Sequence, residues 1–287
     1  MTNITILGTG AMGARMAKRL LDAGYSVTVF NRTRERALPL TREGARFAAT
    51  PVDAVRDANI VISMLTNDEA SRTAWLDKSS GAIAGLKKDT IAIESSTLSL
   101  GCITQLAKEF NAQDIAFLDA PVLGSRPQAD SGALIFLVGG KRVVLDKVMP
   151  VLSCMSSAIH YTGANSTGVK MKLAINAFFG AQVSALSEII GLLKKTGIAE
   201  EKSIGVFNQL PTTSPALQGI GNLISAGKFD PLFPVRLMEK DLCYALDMSH
   251  SCQSEVPVVN AVYSVFNDAL EHGLGEHNIN SIIRLYS

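Results

Sequence analysis

The sequence predicts an α/β fold: an N-terminal doubly wound, mostly parallel sheet, followed by an all-α domain joined through a long helix. Three observations predict it. Up to about residue 162, short β-rich runs alternate with amphipathic helical segments. Those β-rich runs are apolar almost without interruption, as strands are when helices cover both faces of their sheet. Beyond residue 162 the strand signals stop and helical patterns take over. The switch divides the chain into domains 1–162 and 163–287, and a length of 287 residues suits two domains.

In chain order, NITILG, YSVTVFN, NIVISML, TIAIES, IAFLDA and ALIFLVGG read as strands, because each is a short run rich in β-branched and apolar residues. The amphipathic segments near 11–23, 34–42, 68–77, 99–110 and 142–153 read as the helices between them. The second half reads as helices over 165–195, 199–209, 214–226, 235–250 and 256–272, with a short final one. The first of these is the longest and among the most apolar stretches of the chain.

Bulk properties narrow the function classes. A hydrophobic fraction of 47% suits a globular chain with a large core, and a net charge of +1 without a basic arm points away from nucleic acid. Cys102, Cys154, Cys243 and Cys252 are far apart and show no metal-ligand spacing, so reduced thiols in a cytoplasmic protein and no metal are expected. MTNITILGTG has neither the basic flank nor the apolar core of a signal peptide. The apolar run 168–193 is long enough to suggest a membrane span. Lys170, Lys172, Asn176, Gln182 and Glu188 oppose that reading, since each is expensive in lipid.

The first strand runs directly into GTGAMGARMAKRLLDAG. Gly8, Gly10 and Gly13 fit G-x-G-x-x-G, with Ala11 and Met12 in the turn, and the order strand, glycines, helix, strand gives the pattern its specificity. This is a Rossmann-type dinucleotide site, in which the helix N-terminus faces a pyrophosphate. Dinucleotide sites that take NAD commonly end the second strand on a carboxylate that holds the ribose 2′-hydroxyl. Here Asn31 stands at that place, and Arg32 and Thr33 follow, with Arg34 next. Donors and positive charge favour a 2′-phosphate, hence NADP over NAD; the plainer reading makes the arginines solvated loop residues.

Helical geometry pairs two polar residues on the long apolar helix. Lys172 and Asn176 are i and i+4, about 40° apart, and share a face, while Lys170 is about 200° from Lys172. Burying an amine and an amide without a purpose is costly. A snorkelling lysine and an asparagine satisfied by a neighbour is the structural alternative.

GTGAMGARMAKRLLDAG, DAPVLGSRPQADSGAL, TGVKMKLAIN and FPVRLMEKD resemble, in order and spacing, the β-hydroxyacid dehydrogenases over essentially the whole chain. NRT, KMKLAIN and the F-P-x-x…K-D stretch are most similar to the glyoxylate/succinic semialdehyde reductase branch, with 3-hydroxyisobutyrate dehydrogenases next. The resemblance implies that Lys172 is the catalytic acid/base and Asn176 its partner. It implies that Gly124 and Ser125 offer backbone amides to a substrate carboxylate, and that Thr97 lies near the nicotinamide and substrate. Leu65 and Thr66 would pack the cofactor. Lys240 would approach the cofactor, Asp241 would order the Lys172 and Asn176 region, and Phe233 would wall the substrate pocket. Read as residues alone, Thr97 is equally a helix cap, Leu65 and Thr66 an ordinary strand end, and Lys240 and Asp241 surface charges.

Leu123 departs from the family, which commonly has serine or threonine there; a carboxylate donor is lost and apolar bulk added. Arg126 is a compensating donor or an exposed loop residue. The mechanism this implies is hydride delivery from NADPH to the carbonyl carbon of a small aldehyde or 2-oxo acid, with Lys172 protonating the oxygen. Oxidation of a β-hydroxyacid in the reverse sense is the enzymatic alternative, and a non-catalytic NADP-binding sensor or interaction module the non-enzymatic one. Imine reductases share the architecture but usually replace the lysine. A homodimer or homotetramer is expected, with a small-molecule substrate as the ligand.

Overall fold

The computed structural model describes residues 2–286. Its elements run β1 (Asn3–Leu7), α1 (Gly13–Asp22), β2 (Ser26–Phe30), α2 (Leu38–Arg42), β3 (Arg46–Phe47), α3 (Pro51–Val55), β4 (Ile60–Ser63), α4 (Asp68–Leu76), β5 (Ile91–Glu94), α5 (Leu100–Ala112), β6 (Ala116–Asp119), β7 (Val122–Leu123), α6 (Arg126–Ser131), β8 (Leu134–Gly140), α7 (Arg142–Ser153) and β9 (Ser156–Gly163). Five helices follow: α8 (Thr167–Lys195), α9 (Glu200–Phe207), α10 (Pro215–Ser225), α11 (Val235–Ser251) and α12 (Pro257–Glu271), then a 3-10 stretch Ile279–Tyr286. By their contacts the residues form two compact units, the first ending at Lys172 and the second beginning at Leu173. The first unit therefore continues past the last strand into the opening turns of α8.

The first unit is built on a sheet in the order β3-β2-β1-β4-β5-β6-β8-β7, with β9 on β8. Pairings from β3 through β6 are parallel; β8 lies antiparallel to β6 and β7 and parallel to β9. The chain leaves β1 in one direction for β2 and returns on the other side for β4. Beside β1 lies the switch point where open α/β sheets bind ligands at the carboxyl ends of their strands. The apolar strands predicted from sequence have their reason here: Ile60–Ser63 and Ile91–Glu94 are buried at every position. Ile4, Ile6, Met16, Leu20, Ile62, Ile93 and Phe136 form one core. Phe110 joins Trp75 edge-on at 5.1 Å and stacks on Phe117 at 4.9 Å.

Five elements escape the sequence pattern for physical reasons, α3 among them because the five residues of PVDAV are too few to show a helical period. β3 and β7 are two residues each, too short to show a period. β9 is an edge strand of mixed, half-exposed SSAIHYTG, so it lacks the apolar run of a buried strand. α6 is six residues of RPQADS, with little apolar face to recognise.

In the second unit, α11 and α12 pack with α8 around Gly180. A Cβ on Gly180 would lie 3.3 Å from Met238 Sδ and Val262 Cγ1, so a larger residue would require those side chains to give by a few tenths of an ångström. α8 alone among the described helices is long and apolar enough to cross a bilayer by length and composition, yet half of its most apolar window is buried inside the protein.

Candidate active site

The glycine turn after β1 is set by backbone crowding. Gly8 adopts φ +99°, and a Cβ there would run into Met64 O and Leu65 Cδ2. A Cβ on Gly13 would collide with Gly8 O, so α1 packs against the turn only with glycine at its first position. At Gly10 a Cβ would meet nothing within 4 Å, leaving open space over the backbone. α1 itself begins without a side-chain cap and without an acid in its first turn. Tight turn, open approach and an uncapped positive helix end fit a pyrophosphate.

Asn31 does more than replace a carboxylate. Its Oδ1 accepts the Thr9 amide at 3.0 Å and its Nδ2 donates to Thr33 O at 2.8 Å, tying the glycine turn to the end of β2. Arg32 is exposed and, among the described residues, pairs with no carboxylate. Arg34 lies over the Phe47 ring at 5.4 Å. No acid stands where a ribose 2′-hydroxyl would be held, and an unpaired guanidinium is adjacent.

A buried carboxylate that sequence reasoning passed over supports the neighbouring loops. Glu94 ends β5 fully buried; its Oε2 accepts Ser71 Oγ at 2.7 Å and Trp75 Nε1 at 2.9 Å, and its Oε1 accepts the Ser96 amide at 2.9 Å. Ser96 Oγ in turn accepts the Leu65 amide at 2.7 Å. Glu94 thus holds the segment leading to Thr97 and, through Ser96, the segment carrying Leu65 and Thr66. A glutamate at the end of an otherwise apolar strand was the available signal.

The segment after β6 carries Leu123, Gly124 and Ser125. Leu123 pairs with Ile135 in the sheet, and Gly124 adopts φ +110° with its Cβ position crowded by Gln128. The Ser125 amide, expected to be open to a substrate, donates to Gln128 Oε1 at 2.9 Å. That corrects the sequence reading: the capping box of α6 already uses this donor.

On α8 the paired polar residues lie on the buried face. Lys172 is 8% exposed and Asn176 4%, whereas Lys170 is exposed. Within the second unit, Asn176 Nδ2 donates to Asp241 Oδ2 at 2.6 Å. Lys240 Nζ lies 2.8 Å from Asp241 Oδ1 and 4.6 Å from the centre of the Tyr244 ring. Asp241 is itself buried, so this is a desolvated carboxylate held between an amide and an ammonium rather than a surface charge. Phe233 precedes α11, its amide held at 2.8 Å by Asn278 Oδ1.

Residues 3–163 match the family model for the NAD binding domain of 6-phosphogluconate dehydrogenase, and residues 166–286 match that for the NAD-binding domain of NADP-dependent 3-hydroxyisobutyrate dehydrogenase. The chain is 29% identical to glyoxylate/succinic semialdehyde reductase 2, chloroplastic, of Arabidopsis thaliana, over 98% of this chain and 78% of that one. It is 31% identical to the uncharacterized oxidoreductase YfjR of Bacillus subtilis over 98% of both. Among solved structures, a 3-hydroxyisobutyrate dehydrogenase of Mycobacterium tuberculosis with L-serine superposes with a TM-score of 0.90 at 26% identity, covering 99% of each chain.

Proposed function

This chain belongs to the β-hydroxyacid dehydrogenase family, and from that membership we propose that it is an NADPH-dependent reductase of a small aldehyde or 2-oxo acid, with Lys172 as general acid. At the coarser level it is an NAD(P)-dependent oxidoreductase acting on CH–OH groups. The observation that carries the finer reading is the buried lysine one turn before a buried asparagine on α8.

A bound reduced nicotinamide supplies the hydride. The glycine turn and the uncapped start of α1 would hold its pyrophosphate, and the unpaired Arg32 beside Asn31 favours a 2′-phosphate. Lys172, as an ammonium, donates a proton to the carbonyl oxygen as negative charge develops there. Asn176 orients the reacting oxygen or the amine. Its own orientation is fixed by Asp241, which takes one amide proton. Gly124 contributes a backbone donor for the substrate's acid group, while Leu123 adds apolar bulk beside it.

Homo-oligomerisation is part of the reading. α8 turns Met171, Phe178, Ile189 and Leu192 to solvent, with Ala174 and Ala185 between them on the same stripe. An apolar helix face of this length is characteristic of a subunit contact.

The test is consumption of NADPH by the purified protein over a panel of glyoxylate, succinic semialdehyde, methylmalonate semialdehyde and larger uncharged aldehydes, with NADH alongside. Turnover of the short acids, faster with NADPH, is the expected result. Turnover restricted to uncharged aldehydes would keep the lysine chemistry and reject the substrate class. Binding of NADPH with no turnover would reject the enzyme in favour of a sensor module.

A further inference from the structure

We propose that Asp119 is a positioning residue for Lys172: its carboxylate caps the start of α8 from the neighbouring strand β6 and so fixes the helix that presents the lysine. The proposal rests on the reading of Lys172 given above.

Asp119 is the last residue of β6 and fully buried. Its Oδ1 accepts the Ser166 amide at 2.7 Å and its Oδ2 accepts the Val169 amide at 2.9 Å. Val169 is the third residue of α8, the position whose amide a helix-capping side chain ordinarily takes. Ser166 occupies the cap position itself with φ +75°, a conformation a serine seldom adopts, and its amide points into the same carboxylate. One acid therefore does, from another element, what the local sequence does not do for itself.

The surroundings are shaped to that acid. A Cβ on Gly139, the residue paired with Asp119 across β8, would fall 2.6 Å from Asp119 Oδ1 and 2.9 Å from the Gly168 amide nitrogen. A Cβ on Gly168 would fall 2.8 Å from Asp119 Oδ2 and also strike Leu137 O. Asn165 Nδ2 donates to Phe117 O at 3.0 Å, a second link from the same strand to the connection before α8. Two glycines are needed for α8 to begin this close to the sheet.

Lys172 follows Val169 by three residues, roughly one turn and about 4.5 Å of rise. A change in the start of α8 is therefore transmitted directly to its ammonium. In the other direction along the chain, Asp119 opens the segment that carries Leu123 and Gly124. One side chain thus ties the proposed substrate segment to the proposed acid within the same unit.

Burial raises the Asp119 carboxyl to about 6, against the backbone amides of Val169, Ser166 and Gly168 and its own, which favour the charged form. No charged side chain contributes to that shift. Its proton is held more tightly in the folded chain than in the unfolded one. The group's contribution to folding is therefore full at low pH and lost as the pH rises past about 6. A charge retained at a cost to folding is what a positioning role explains.

The test is Asp119→Asn, which keeps the shape but places a donor against backbone donors. The readouts are kcat per NADPH-binding site, NADPH affinity and hydrogen exchange over residues 166–172. We expect kcat per site to fall about tenfold or more, NADPH affinity to stay within about twofold, and exchange to quicken selectively at the start of α8. A merely structural residue would lower the number of binding-competent molecules and leave kcat per site unchanged. Wild-type kcat per site, or wild-type exchange over 166–172, overturns the proposal. If the variant does not fold, exchange in the wild-type protein decides. From about pH 5 to about pH 8, protection over 166–172, corrected for intrinsic rates, should fall more than protection in α1, because opening this segment releases the tightly held Asp119 proton; equal changes overturn the proposal. Lys172→Ala is assayed in parallel, since wild-type turnover there removes the underlying reading, a failure distinct from one confined to Asp119.

Discussion

At the scale of single residues, the proposed choice of NADPH over NADH rests on Arg32 and Asn31. Asn31 accepts the Thr9 amide and donates to Thr33 O, so it ties the glycine turn to the end of β2 where a carboxylate would make a different set of contacts. Arg32 is then the group proposed to distinguish a 2′-phosphate from a 2′-hydroxyl. Arg32→Glu should raise the KM for NADPH by about tenfold or more and leave or improve that for NADH, as expected from losing a charge-assisted hydrogen bond. Equal effects on both cofactors, measured by initial rates, would assign the arginine to the solvated loop instead. Cys102 illustrates the opposite case of a residue without a chemical role: burial, foremost, pushes its thiol up to about 12, so it is an inert part of the core.

At the scale of elements, the two outer glycines of the turn differ from the middle one in a way that separates fold from binding. Gly13→Ala forces a Cβ into Gly8 O and should destabilise α1 against β1, lowering Tm as well as NADPH affinity. Gly10→Ala meets no protein atom, so Tm should hold while NADPH affinity drops, because the methyl occupies the approach of the phosphates. Thermal melting with cofactor titration checks both; a Tm loss in Gly10→Ala equal to that in Gly13→Ala would contradict this division of roles. These elements were legible in the sequence because glycine spacing, strand apolarity and helix period are local signals. The helix over 142–153 was read to its limits, and those near 68–77 and 99–110 to within two residues at either end. β7 and β9 were not, since one is two residues long and the other is an edge strand without an apolar run. Glu94 and Asp119 were visible as acids at strand ends, but their work depends on Trp75, Ser96, Ser166 and Val169, whose proximity only folding creates. The engaged amide of Ser125, by contrast, has a local signal, since SRPQ has the spacing of a capping box.

At the scale of the whole molecule, α8 is apolar on two sides: Lys172 and Asn176 lie buried with Val169, Leu173, Val183 and Ile190, while a stripe of Met171, Phe178, Ile189 and Leu192 is outside. A single copy leaves that stripe wet. Phe178, 69% exposed, is the largest side chain on it. Phe178→Glu should convert an oligomer of about two or four chains to a smaller species in light scattering, with the far-UV spectrum unchanged. An unchanged mass would show that this face is not the contact. The same helix joins the two aspects of the account, because its inner face bears the proposed chemistry and its outer face the proposed assembly. The proposed chemistry nevertheless rests on one group, the Lys172 ammonium. The most direct measurement is kcat of Lys172→Ala for NADPH-dependent carbonyl reduction, together with its NADPH affinity. Turnover should fall by roughly two to four orders of magnitude with cofactor affinity retained. Near-wild-type turnover in a variant that still binds NADPH would contradict it.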